Sequence, residues 1–176
     1  MYRKKNFISL GISLVLAAGI TVTPVTAADF VYAWLKQMSA DATNGYSFIM
    51  TDYIVNGQEY NEGSVEASEV GVKAVDDQTL EVQLKSPTPY FLNLTTMDMF
   101  FPVNEAFCEE QGTNFALSPD SMLYCGPYVI TDYDPAVGVT FAKNDNYWDK
   151  DNVAIEDAQV RVIKDAAAAL SAYQAG

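Results

Sequence analysis

Acid–base and nucleophilic chemistry near neutral pH runs most often through histidine, and this sequence of 176 residues contains none. The usual general base for a Ser or Cys nucleophile is therefore missing, and so is the commonest zinc ligand. The 23 Asp and Glu residues are numerous enough for the paired carboxylates of glycoside hydrolysis, but nothing in their spacing marks a pair. DNYWDKDNVAIE, Asp145 to Glu156, has the length of a calcium loop. It puts Tyr147 where an oxygen ligand is needed and Lys150 where the sharp turn needs Gly. A solvated turn with Tyr147 and Trp148 packed inward is the expectation, with no metal and no other cofactor. Cys108 and Cys125 can pair in an oxidising compartment or stay free, and two cysteines are too few for a disulfide framework. These residue types argue against most hydrolases.

Charge narrows the partners. Ten basic residues oppose the 23 acidic ones, for a net charge of −13, and Arg3, Lys4 and Lys5 take three of the ten at the N-terminus. A surface so acidic repels nucleic acid and anionic lipid. About half of the residues are hydrophobic, with 11 Tyr and 9 Phe, so the chain has the material for a core. Its length suits one domain or two small lobes.

The elements follow from spacing. The basic cluster Arg3-Lys4-Lys5 precedes the apolar run FISLGISLVLAAGI and then small residues, the pattern of an export signal. Residues 1–28 are expected to be a signal peptide or, uncleaved, a membrane anchor with its basic end inside. The next residues carry a second signal. Thr26-Ala27-Ala28-Asp29 has capping-box form, and Phe30, Ala33, Trp34 and Met38 recur at helical spacing, which predicts a helix to about Ser39. Cleavage after Ala27 or Ala28 would remove that cap, at about 1 kcal/mol.

Further on, Val70/Val72 and Leu80/Val82/Leu84 alternate about the turn Asp76-Asp77-Gln78, predicting an antiparallel hairpin. Lys73, Glu81, Gln83 and Lys85 would face water. A short apolar helix begins at Tyr90-Phe91-Leu92. YVITDY and VTFAK read as neighbouring strands across DPAVG, AQVRVI as another strand, and DAAAALSAYQ as a helix capped by Asp165. The polar stretch Asn56 to Glu69 reads as an exposed loop. Strands mixed with helices make an α/β or α+β chain.

Six segments, in order, resemble one family. PVTAADFVYAW (Pro24 to Trp34) is similar to the PVTA-x-DFVYSW segment of the oligopeptide- and dipeptide-binding proteins of ABC importers, the extracellular solute-binding proteins of family 5. The others are GVKAVDDQTLEVQLKSPTPYFL (Gly71 to Leu92), FPVNEAF (Phe101 to Phe107), YCGPYVITDY (Tyr124 to Tyr133, with Cys125 in place of Asn), KNDNYWDKDNV (Lys143 to Val153, with Asp145 in place of Pro) and VIKDAAAALSAYQAG (Val162 to Gly176). The likeness implies part of a two-lobed periplasmic-binding-protein type II fold, α/β, with mixed sheets and flanking helices. It assigns residues 29–101 to a partial small lobe and 102–176 to a partial large lobe, truncated at both ends.

The implied function is capture of an extended oligopeptide or dipeptide between the lobes for a membrane permease. An exported or membrane-anchored interaction module of the same ancestry is the alternative. Tyr46 stands where the family carries a Tyr facing the peptide, a side chain with broad apolar contact and one hydroxyl. Tyr124, Cys125 and Gly126 lie near the lobe junction, where their backbone groups would bind an extended ligand by strand addition. The same reading places the protein at the periplasmic or outer face of the cytoplasmic membrane, with membrane contact only through residues 1–28.

Overall fold

The structure, a computed structural model, describes residues 24–42 and 45–175, together with the backbone of β1 (Phe7–Gly11). The rest of the segment read as an export signal, up to residue 23, lies outside the described residues. The chain divides into two units, Met1–Glu110 and Gln111–Gly176. Each carries a three-stranded antiparallel sheet with flanking helices, the mixed α/β class expected. Among the described residues, no helix is long and apolar enough to cross a membrane.

In the first unit, α1 (Ala27–Met38) begins at the expected cap. Asp29 Oδ2 accepts the Thr26 N–H at 2.7 Å and the Thr26 hydroxyl at 3.1 Å. The helix buries Ala27, Ala33, Trp34 and Met38 along one stripe. α2 (Phe48–Thr51) and α3 (Gly57–Asn61) follow. α3 corrects the reading of residues 56–69 as loop throughout. Its Tyr60 packs on the core, and Asn61 Nδ2 donates to the carbonyls of Met38 (3.0 Å) and Ser39 (3.1 Å), satisfying the open end of α1. Polarity here reflects capping work, which composition does not reveal.

The hairpin forms as its alternation predicts. β2 (Val72–Asp76) and β3 (Thr79–Gln83) pair antiparallel, with Val72 opposite Val82 and Lys73 opposite Glu81. β3 is central, flanked by β2 and by β1. Val70, Val72, Leu80, Val82 and Leu84 are all buried. Val55 crosses the end of the sheet, with its N–H on Gln83 O and its carbonyl on the Gly71 N–H. A Cβ on Gly71 would lie 2.7 Å from Gln83 O, so only glycine allows this approach. α4 (Phe91–Leu94) and the turn Asp98–Phe100 close the core. Trp34 meets Phe91 and Phe100 edge-on, at 6.5 and 5.1 Å between ring centres, and its Nε1–H donates to Phe100 O at 3.0 Å. α5 (Glu105–Gln111) ends the unit, its first turn capped by Asn104 Oδ1, which accepts the Phe107 N–H.

The second unit contains β4 (Tyr128–Asp134), β5 (Gly138–Lys143), β6 (Asp157–Arg161) and α6 (Ala166–Ala175), the strands lying in the order β4-β5-β6. Asp165 caps α6 by accepting the Ala168 N–H at 2.8 Å. Every residue of β6 is exposed, as are Leu170 and Tyr173 of α6, and the unit fully buries no apolar side chain among the described residues. That overturns half of one expectation: Tyr147 is half-buried, but Trp148 is 70% exposed, since this unit has no fully buried apolar cluster among the described residues to receive an indole.

Asp29 is 7% exposed and accepts a third bond, from Asn104 Nδ2 at 3.1 Å. Replacing it leaves buried donors unpaired and removes the cap, so Asp29→Ala is expected to lower the urea stability of the first unit by about 2–3 kcal/mol, against about 1 kcal/mol for Thr26→Ala. Equal effects of the two substitutions would contradict the wider role of Asp29.

At the hairpin turn, Asp76 Oδ1 accepts the Gln78 N–H (2.9 Å) and Oδ2 the Thr79 hydroxyl (3.0 Å). These bonds, the Gln78 one foremost, hold its carboxyl below the ordinary 3.8. The stability they contribute is complete above that pH and is lost as pH falls through the lowered value. The Gln78 amide resonance should therefore stay native at pH 5 and shift only below about 3.8, and Asp76→Asn should abolish that transition.

Candidate functional site

An open cavity of about 560 Å³ lies on the first unit, lined by Gln37, Tyr46, Ile49, Met97, Asp98 and Met99. Its size falls within the range of small-ligand clefts. α1 supplies Gln37, one turn beyond Trp34, and the Trp34 bond to Phe100 O fixes the turn that carries Asp98 and Met99. Tyr46 stands just before α2 and is 56% exposed, its ring centre 6.4 Å from that of Phe48. Asp98 Oδ1 accepts the Met99 N–H at 2.9 Å. The lining holds two Met, one Ile and one Tyr, one carboxylate and one amide, and no cation. It can bind, but it presents neither a thiol nor an imidazole to a substrate.

Tyr124, Cys125 and Gly126 sit together in the second unit, in the irregular segment that bends at Gly126–Pro127 into β4. The Tyr124 hydroxyl donates to Pro119 O at 3.1 Å, and burial raises its pKa. The Gly126 carbonyl is taken by the Asn144 side-chain amide at 2.8 Å, while the Asn144 N–H donates to Pro127 O. The backbone groups of Tyr124 and the Cys125 carbonyl make no bond among the described residues, while the Cys125 N–H faces its own thiol. Both cysteines are free thiols, Cys108 buried and Cys125 exposed. Although Cys125 opens to solvent, the protein packed round it pushes its thiol pKa up.

A further polar cluster lies apart from the cavity lining. Tyr32 donates to Glu109 Oε1 at 2.5 Å, and Lys36 Nζ reaches Tyr32 at 3.1 Å and Cys108 Sγ at 3.7 Å. Burial, then the bond to Glu109, raises the Tyr32 pKa. The nearest lysine on α1 is thus engaged elsewhere.

The sequence model for the bacterial extracellular solute-binding proteins, family 5 (middle region), matches residues 22–176. The chain belongs to this family. Among its family-5 relatives, the oligopeptide-binding protein OppA of Bacillus subtilis is 35% identical over 153 residues, which are 87% of this chain and 28% of that protein. The dipeptide-binding protein DppE of the same organism is 36% identical over 154 residues, again 28% of its length. The structure of Listeria monocytogenes OppA bound to peptide superposes with a TM-score of 0.80 at 40% identity, covering 86% of this chain and 30% of that one. The chain thus spans less than a third of these relatives, and its fold is that of a stretch of a family-5 binding protein.

Of the residues expected to bind, the structure sets Tyr46 in a cavity and leaves the backbone groups of Tyr124 and the Cys125 carbonyl open, while Gly126 has spent its carbonyl. Gln37, Ile49, Met97, Asp98 and Met99 were not foreseen. The only signal for them is the alternation Met-Asp-Met at 97–99, a lone acid between two flexible apolar residues. With one thiol exposed, the native chain should consume one equivalent of a thiol reagent, the second only after unfolding. Its rate should keep rising at pH values where an ordinary thiol has levelled off. Two fast equivalents would contradict the placement of Cys108.

Proposed function

We propose that this chain is part of the substrate-binding component of an ABC importer of oligopeptides or dipeptides, capturing extended peptide and handing it to a membrane permease. The observation that carries this reading is the match to family-5 proteins across residues 22–176, at 35–36% identity to relatives named for oligopeptide and dipeptide binding. The site residues take their roles within it. Tyr46 offers an amphipathic face tolerant of ligand sequence, and the backbone of Tyr124 and Cys125 offers main-chain hydrogen bonds of the strand-addition kind. Gly126 gives that segment its freedom of approach, since no atom lies within 4 Å of where its Cβ would be.

Residues 29–101 would contribute to a small lobe and 102–176 to a larger one. The exposed apolar side chains of β6 and α6 then find cover against further chain of the kind the relatives possess. Residues 1–28 direct export to the periplasmic or outer face of the membrane, as a cleaved signal or a retained anchor. Binding here is without catalysis, a reading supported by the family's description as solute-binding proteins.

A titration of the full chain with mixed di- to pentapeptides, followed by amide NMR, tests the reading. Saturable shifts at Tyr46 and at Tyr124–Gly126, reached only at about millimolar peptide, are expected, since the chain supplies under a third of its relatives' length. Peptides that move neither segment would overturn the peptide reading. Micromolar binding would overturn the requirement for the remaining chain.

A further inference from the structure

Resting on the peptide reading, we infer that the cavity of the first unit is a pocket for a basic side chain, Lys or Arg, of the bound peptide. The first observation is its polar inventory. Asp98 spends Oδ1 on the Met99 N–H, and Oδ2 accepts nothing among the described residues. Gln37, half-buried on α1, likewise makes no side-chain hydrogen bond among them, so its carbonyl oxygen is available as a second acceptor. The second observation is the wall. Ile49, Met97 and Met99 suit the methylene stem of a long cationic side chain, and the unbranched Met residues adapt to either length. Tyr46 adds an aromatic face, over which an ammonium or guanidinium is attracted.

The third observation concerns charge. No Lys or Arg lines the cavity, and Lys36 on the same helix is held by Tyr32 and Glu109. An acidic side chain entering here would meet Asp98 with nothing to neutralise either carboxylate, in a chain of net charge −13. A neutral aliphatic one would fill the walls and leave Asp98 Oδ2 and Gln37 unmatched. The basic side chain alone uses every group present, so discrimination comes both from attraction of the cation and from rejection of the anion.

Methyl NMR of the full chain with labelled methionine reads the pocket directly, through Met97 and Met99. The probes are Ala-Lys-Ala, the same tripeptide with norleucine (equal stem, no charge) or with Glu at the centre, and n-butylammonium as an isolated head and stem. The Lys peptide should bind about three- to fivefold more tightly than the norleucine peptide, the range open to a partly solvated ion pair. The Glu peptide should be weakest. Asp98→Asn, which keeps the Oδ1 acceptor for Met99, should bring the Lys-to-norleucine ratio close to one, and 1 M salt should do the same to the unaltered chain.

Equal binding of Lys and norleucine peptides to the unaltered chain, or a ratio indifferent to both Asp98→Asn and salt, overturns the pocket and leaves the peptide reading intact. Met97 and Met99 shifts with n-butylammonium, dependent on Asp98, while no peptide binds anywhere, keep the cation pocket and overturn the peptide reading. No response of these methyls to any probe overturns the pocket.

Discussion

The buried carboxylate of Asp29 holds the first unit together. A charge at that depth is costly unless hydrogen bonds compensate it, and here they come from the Thr26 N–H, the Thr26 hydroxyl and the Asn104 side chain. The Asp29 carbonyl accepts the Val103 N–H, and two residues earlier the Ala27 N–H donates to Asp77 O at the hairpin turn. Three segments distant in sequence meet at the start of α1: the turn between β2 and β3, the helix itself, and the strand-like stretch before α5. Asn104 serves twice, since its carbonyl oxygen caps α5 while its amide reaches Asp29. Once the helix start is fixed, the rest of its face follows. Trp34 grips Phe100 O, and the turn at Asp98–Phe100 comes to rest beside Gln37. The cavity is therefore a downstream consequence of the cap.

Much of this was legible in the sequence where the determining interactions are local. The capping box at Thr26–Asp29, the Asp76 turn, the alternation of Leu80, Val82 and Leu84, and the Asp165 cap are each settled within a few residues of chain. The features that escaped depend on partners far along it. Asn61 looks like one more polar residue of a loop until it is seen closing α1 some 23 residues away. Asp98 reads as an ordinary exposed acid, because nothing near it in sequence says that Gln37 and Tyr46 share its cavity. Trp148 was expected to pack inward, yet burial needs a receiving interior, and the second unit fully buries no apolar side chain among the described residues.

The contrast between the two units bears on how such a protein works. The first unit closes its core of aromatic and aliphatic side chains around Trp34, and its cavity opens on that firm base. The second presents apolar side chains on β6 and α6 to solvent, and its order comes from strand pairing and from Asn144 clamping the Gly126–Pro127 carbonyls. A three-stranded sheet gains independent stability by covering an apolar face.

Native-state hydrogen exchange tests the role of Asp29 without any substitution. If the contacts at its carboxylate organise the unit, the amides of Thr26, Ala27 and Val103 exchange only with the global opening of that unit, at the same free energy as Leu80 and Val82 in the central strand. Exchange of Thr26, Ala27 and Val103 at loop-like rates, while the β3 amides stay protected, would contradict the account.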